Sequence, residues 1–106
     1  MYSGTLSSNS QADDNLFYWL FRDANRTSEG NPLLIWLNGG PGATSMFGLF
    51  AENGPLQVSR TGPGPDDFVI GWNPEGSWFD VSDILFIDQP VGTGFSYGPS
   101  NITSLE

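Results

Sequence analysis

Histidine, cysteine and lysine are all missing from these 106 residues. Without histidine the chain holds no imidazole base to activate a serine hydroxyl and lacks the commonest metal ligand. Without cysteine it has no internal disulfide and no thiolate zinc site, so it carries no direct sign of redox compartment. The scattered carboxylates match no calcium loop, and no cofactor is implied. Three arginines stand against twelve acidic residues, for a net charge of -9, which opposes phosphate backbones and anionic membrane surfaces. Neither nucleic acid nor membrane is therefore an expected partner. No apolar run approaches the roughly 18 residues that mark a membrane-spanning helix. Met1-Tyr2-Ser3 opens no basic and then apolar leader, and the expectation is a mature soluble domain. No repeat or low-complexity tract divides it.

What is present centres on Leu33-Leu34-Ile35-Trp36-Leu37-Asn38-Gly39-Gly40-Pro41-Gly42. An apolar run of strand length stops on Asn, Gly and Pro, the pattern of a buried strand ending at a tight exposed turn. Gly39 and Gly40 leave their N–H groups unshielded by any Cβ, and Pro41, with no N–H of its own, stiffens the loop and aims the Gly40 donor. A fixed N–H facing open space suits a developing oxyanion. In α/β-hydrolases one such donor comes from the loop after the third strand.

Taken in order, Tyr2 to Leu6 reads as a short strand, Ser7 to Asn15 as a polar loop, and Leu16 to Phe21 as a strand buried on both faces, able to pair with the first as a hairpin. Asp23 to Pro32 is a polar turn too short for a crossover helix, which predicts that the run from Leu33 is antiparallel to its predecessor, at the edge of a mostly parallel sheet. Thr44 or Ser45 is placed to cap a helix through about Ala51, with Met46, Leu49 and Phe50 on its buried face. Its positive end would add to the anion-attracting loop. Glu52-Asn53-Gly54-Pro55 ends that helix. Gly62 to Asp67 reads as a solvated loop, and Trp72, Trp78 and Phe79 as core plugs in an irregular segment. Ile84 to Ile87 is the last strand. It ends at Asp88, before a Gln-Pro-Val-Gly-Thr-Gly loop that, like the first loop, lies beyond a strand's carboxyl end, where open α/β sheets bind ligands.

Two motif matches fail on context. Gly94-Phe95-Ser96-Tyr97-Gly98 has the letters of a nucleophile elbow, but a loop precedes Ser96, Pro99 follows it, and no histidine is available. Gly40-Pro41-Gly42-Ala43-Thr44-Ser45 lacks both the third glycine and the distal carboxylate of a dinucleotide fingerprint.

Trp36 to Gly42 (WLNGGPG), Glu52 to Pro55 (ENGP) and Asp88 to Tyr97 (DQPVGTGFSY), with YSG at Tyr2 and LFYWLF at Leu16, resemble the N-terminal part of a serine carboxypeptidase. The resemblance runs over nearly the whole chain. It departs at Ala43, where relatives usually carry cysteine, at Phe79, where Asn commonly follows Ser-Trp, and at Leu56, often Phe. It implies an α/β-hydrolase fold, of which residues 1–106 form an N-terminal fragment, since members are several times longer. The implied activity is release of single residues from peptide C-termini, with the nucleophile, base and acid outside this chain and the remainder of the same domain as a partner. Gly40 would donate an oxyanion hydrogen bond. Asn38 would donate its amide to the substrate's terminal carboxylate, supported by Glu52 and flanked by Trp36 and Gly39. Alternatives on the same scaffold are a non-catalytic peptide-binding or chaperone-like module and an acyltransferase. Asn25-Arg26-Thr27 and Asn101-Ile102-Thr103 are glycosylation sequons in polar segments; they add weakly to the secretory, vacuolar, lysosomal or extracellular placement that the resemblance implies.

Overall fold

The computed structural model describes residues 1–8, 13–26 and 29–99; Asn101, with its sequon, lies outside them, as does Thr27. Strand β1 (Tyr2–Ser7) and strand β2 (Asn15–Phe21) form the expected antiparallel hairpin, in register from Tyr2 opposite Leu20 to Ser7 opposite Asn15. Strand β3 is Leu33–Trp36, and the last strand, β6, is Asp83–Ile87. The sheet order is β1-β2-β6-β3, with β6 antiparallel to β2 and parallel to β3. Strand β3 thus runs opposite to β2, as the short connection requires, but the two share no ladder because β6 lies between them. The expected pairing is corrected to that extent.

Register decides the faces. Phe21, Ile84 and Leu34 align across β2, β6 and β3, as do Trp19, Phe86 and Trp36 one step along. These side chains form one face, and over it lies the helix α1 (Met46–Ala51), contributing Met46 and Leu49, with Leu56 closing the cluster. Phe21, Leu49, Ile84 and Phe86 are fully buried, and burial of such a side chain contributes about 1.5–3 kcal/mol. Phe50 and Phe79 pack against this core. The opposite face of β3 is bare: Leu33, Ile35 and Leu37 are all more than half exposed. Neither β2 nor β3 is buried on both faces, because among the described residues the only helix of the α type lies on one side of the sheet.

Between α1 and β6 the chain forms a second antiparallel hairpin, β4 (Leu56–Arg60) with β5 (Phe68–Trp72), absent from the sequence reading. Gly62 to Asp67 is its solvated loop, braced by the Arg60 guanidinium donating to the Gly62 and Gly64 carbonyls. Trp72 ends β5 and is exposed, Trp78 is half exposed in a single 3-10 turn (Trp78–Asp80), and of the three expected core plugs only Phe79 packs on the core. At the start of β6, buried Asp83 accepts hydrogen bonds from the Asp23 N–H, from Arg26 Nη1 at 3.2 Å and from Asn31 Nδ2 at 3.0 Å. Arg26 also donates to the Phe79 carbonyl at 2.6 Å. A buried carboxylate needs such donors, and these pin the β2–β3 turn to the end of β6 that lies away from the glycine loops. No helix of the described residues is long and apolar enough to cross a membrane.

Candidate oxyanion and carboxylate site

Because β3 and β6 are parallel neighbours, the loops that follow them leave the same edge of the sheet side by side. Both loops contain a cis proline bond, Gly40–Pro41 and Gln89–Pro90. Asp88, fully buried at the end of β6, joins them. Its Oδ1 accepts from the Thr44 hydroxyl at 2.6 Å and the Ser45 N–H at 2.8 Å, while Oδ2 accepts from the Phe95 N–H at 3.0 Å. Two more ties run across: Ser45 Oγ donates to the Ile87 carbonyl, and Gln89 Nε2 donates to the Asn38 carbonyl at 2.9 Å. Sequence reading took Asp88 only as a strand terminator. A carboxylate directly after an apolar strand and before a glycine-rich loop was the available signal.

Asn38 sits where β3 has ended, and its side chain is held in one orientation. Its Oδ1 accepts from Trp36 Nε1 at 2.7 Å and from the Gly48 N–H, inside α1, at 3.2 Å. Two donors on one oxygen settle which way the amide faces. Nδ2 points away from both, and no acceptor among the described residues takes its protons. Trp36 is steadied in turn by Trp78, edge to face with ring centroids 5.6 Å apart.

The loop itself is a row of open donors. Among the described residues no acceptor takes the N–H of Gly39, Gly40, Gly42 or Ala43. Gly40 has φ +145, and a Cβ there would stand 3.1 Å from the Ala43 nitrogen and 3.2 Å from that of Gly42, over the donors themselves. A glycine is required at 40 both for this backbone and to keep the row accessible.

The expected cap is present, but the helix end offers no open donor to a ligand. Thr44 Oγ1 accepts the Met46 N–H and acts as the cap, whereas Ser45, already in helical conformation, makes no side-chain cap bond. Its hydroxyl instead accepts from the Asn38 N–H at 3.1 Å. With the Ser45 N–H on Asp88, the Phe47 N–H on the Thr44 carbonyl and the Gly48 N–H on Asn38, the first donors of α1 are satisfied from within. The positive end of the helix is met by the Asp88 carboxylate, so its field is largely answered before any ligand arrives, and the loop's own N–H groups are the open ones.

Glu52 is not joined to Asn38. It is exposed at the C-terminal cap of α1, one turn beyond Gly48, whose carbonyl takes its N–H at 3.2 Å, and its carboxylate has no hydrogen-bond or ion-pair partner among the described residues. The structure therefore gathers Trp36, Asn38, Gly39 and Gly40 and leaves Glu52 on the adjoining turn. Ser96, the false elbow, is buried; its hydroxyl donates to the Asp88 carbonyl at 2.6 Å and accepts the Phe17 N–H at 2.7 Å, a structural clasp. Asn25 is exposed on its turn.

Known proteins resemble this chain over nearly its whole length. Residues 1–105 match the serine carboxypeptidase (peptidase S10) family. The chain is 44% identical over 111 residues to a pheromone-processing carboxypeptidase KEX1 of Ogataea parapolymorpha, covering 100% of this chain and 17% of that protein. It is 46% identical over 103 residues to serine carboxypeptidase S10 family member 2 of Dictyostelium discoideum, covering 94% of this chain and 18% of that protein. The crystal structure of Kex1(delta)p, a prohormone-processing carboxypeptidase from Saccharomyces cerevisiae, superposes with a TM-score of 0.69 at 42% identity, over 91% of this chain and 20% of that one. The chain thus spans a fifth or less of the length of these relatives, and its mixed sheet corresponds to the N-terminal part of their α/β-hydrolase fold. By the match over nearly its full length, the chain belongs to the serine carboxypeptidase family.

Proposed function

We propose that the protein containing this chain is a serine-type carboxypeptidase that removes single residues from peptide C-termini, and that these residues supply charge stabilisation and recognition of the terminal carboxylate. The observation that carries the reading is the locked amide of Asn38: Oδ1 is held by Trp36 and Gly48, which leaves the Nδ2 protons to a substrate carboxylate. Beside it, the open Gly40 N–H suits the oxygen that becomes negative as the scissile carbonyl turns tetrahedral, and the Gly39 N–H, next to the amide, suits the carboxylate. Reading a free carboxylate next to the oxyanion donors confines attack to the last peptide bond, which makes an exopeptidase of a general acyl-transfer site. The attacking serine, the histidine that takes its proton and the aspartate that orients the histidine come from outside these 106 residues, which contain no histidine. Glu52, on the turn after Gly48, is the acidic neighbour of the clamp. Peptide and protein C-termini are the substrates, and the rest of the domain is the partner that covers the bare face of β3.

Placement in the secretory pathway, vacuolar, lysosomal or extracellular, goes with this reading. It is supported by the exposure of Asn25 within its sequon, on a turn that Arg26 anchors to Asp83.

The test is Asn38→Ala in the full-length protein, assayed on a peptide and on its C-terminal amide. Losing a hydrogen bond to a charged group, about 1.5–3 kcal/mol, lowers kcat/KM roughly ten- to a hundredfold on the free acid and far less on the amide. Equal losses on both substrates would mean that Asn38 holds up the loop and reads no carboxylate.

A further inference from the structure

Most glycines within helices weaken them, and Gly48 lies in the middle of a helix of only six residues. It is buried, and a Cβ built on it would overlap Trp36 Nε1, stand 2.8 Å from Trp36 Cδ1 and stand 2.8 Å from Asn38 Oδ1. The two nearest side chains are thus the two that make up the carboxylate reader. The backbone of Gly48 enters the same arrangement, its N–H on Asn38 Oδ1 and its carbonyl accepting the N–H groups of Glu52, Asn53 and Gly54.

We propose that Gly48 is a positioning residue for substrate recognition: the absence of a side chain lets the helix backbone approach Asn38 closely enough to donate the second hydrogen bond to Oδ1, and this fixes Nδ2 toward the substrate. The inference rests on the carboxylate-reading role of Asn38. One donor alone, the Trp36 indole, would restrain the amide oxygen in a single direction and leave the plane free to swing about it. A second donor from a different element removes that freedom. A methyl group at 48 displaces the indole and the amide together, so the amide loses the orientation that makes it selective while the oxyanion donor, on Gly40, keeps its own. The same backbone segment carries the clamp forward to Glu52, so α1 links the amide to the acidic residue through main-chain atoms alone.

The experiment compares Gly48→Ala, Trp36→Phe and Asn38→Ala in the full-length enzyme on a matched peptide acid and peptide amide, with kcat, KM and the melting temperature of each variant. For Gly48→Ala, KM on the acid rises about tenfold with kcat unchanged, and the amide stays within about twofold. Trp36→Phe, which removes one donor and adds no bulk, shows an acid-specific loss smaller than that of Asn38→Ala because the Gly48 N–H still holds Oδ1. Two results overturn the proposal while leaving the reading of Asn38 intact: Gly48→Ala lowering both substrates alike along with the melting temperature, or Trp36→Phe losing as much as Asn38→Ala. The second result decides even if Gly48→Ala does not fold. If Asn38→Ala itself affects acid and amide equally, the carboxylate reading fails and the role of Gly48 falls with it.

Discussion

Removing the Asp88 side chain tests whether one buried carboxylate holds the two glycine loops together. In Asp88→Ala, the Ser45 N–H at 2.8 Å and the Phe95 N–H at 3.0 Å both lose their acceptor, and Ser45 is itself fully buried. Orphaning the buried Ser45 donor costs about 1–3 kcal/mol, and losing the Phe95 bond, whose residue is exposed and whose N–H can turn to water, adds about 0.5–1.5 kcal/mol, so the pair costs about 1.5–4.5 kcal/mol, a large part of the 5–15 kcal/mol that stabilises an ordinary domain. Asp88→Asn has a smaller effect. Its amide oxygen can keep Thr44 and Ser45, but its NH2 then faces the Phe95 N–H, donor against donor, and only that part-buried bond is lost, for about 0.5–1.5 kcal/mol. The assay is urea unfolding of the full-length protein and both variants, comparing midpoints at unchanged slope. If the open Gly40 N–H in the loop after β3 is an oxyanion donor, as proposed above, the order of stability loss, Ala above Asn, should be repeated in kcat for peptide amides. The reasoning is refuted if Asn costs as much as Ala, or if Ala costs less than about 1 kcal/mol, the low end for a single orphaned donor.

Three further outcomes follow from other parts of the molecule. Asn53 is buried, and among the described residues neither of its side-chain polar atoms has a hydrogen-bond partner, so Asn53→Leu should raise stability by about 1 kcal/mol or more in thermal or urea unfolding, and a loss would show that the amide has a partner. Asn25 should carry a glycan in protein made through a secretory pathway; unchanged mobility of Asn25→Gln relative to the parent would refute it. The isolated 106 residues should hydrolyse no peptide, lacking histidine, and should self-associate through the bare face and free edge of β3; a soluble monomer with a sharp melt would contradict the second expectation and histidine-free hydrolysis the first.

The parts legible in the sequence were those whose physics is local. The strand into Asn38, the glycine loop after it, the short helix from Met46 and the β1–β2 hairpin all follow from apolar runs closed by turn residues. The Ser96 hydroxyl, set aside on sequence context, is engaged by two backbone partners, the Asp88 carbonyl and the Phe17 N–H. The β4–β5 hairpin was missed because Leu56–Arg60 alternates for only five residues and Phe68–Trp72 does not alternate at all, having Gly71 where a polar residue would mark the outer face. The partners of Asp88 and Gly48 were hidden for a different reason. Each matters through residues distant in sequence, Ser45 in one case and Asn38 in the other, and no local pattern encodes such a meeting. For the same reason the short β2–β3 connection predicted direction correctly but not adjacency.

The sheet order has a consequence for how the protein is made. Strands β2 and β3 emerge from the ribosome early, yet neither can gain its inner neighbour until β6 has been synthesised, because Leu20 and Ile35 both meet Leu85. Until then β1 and β2 have only each other, while the WLNGGPG segment waits with a free edge and no facing strand. Pairings so distant along the chain are slow to form, and exposed strands in the interval are open to wrong partners. The β2–β6–β3 part of the sheet can therefore close only once β6 has left the ribosome, and a pause before that point would prolong the exposure of β2 and β3.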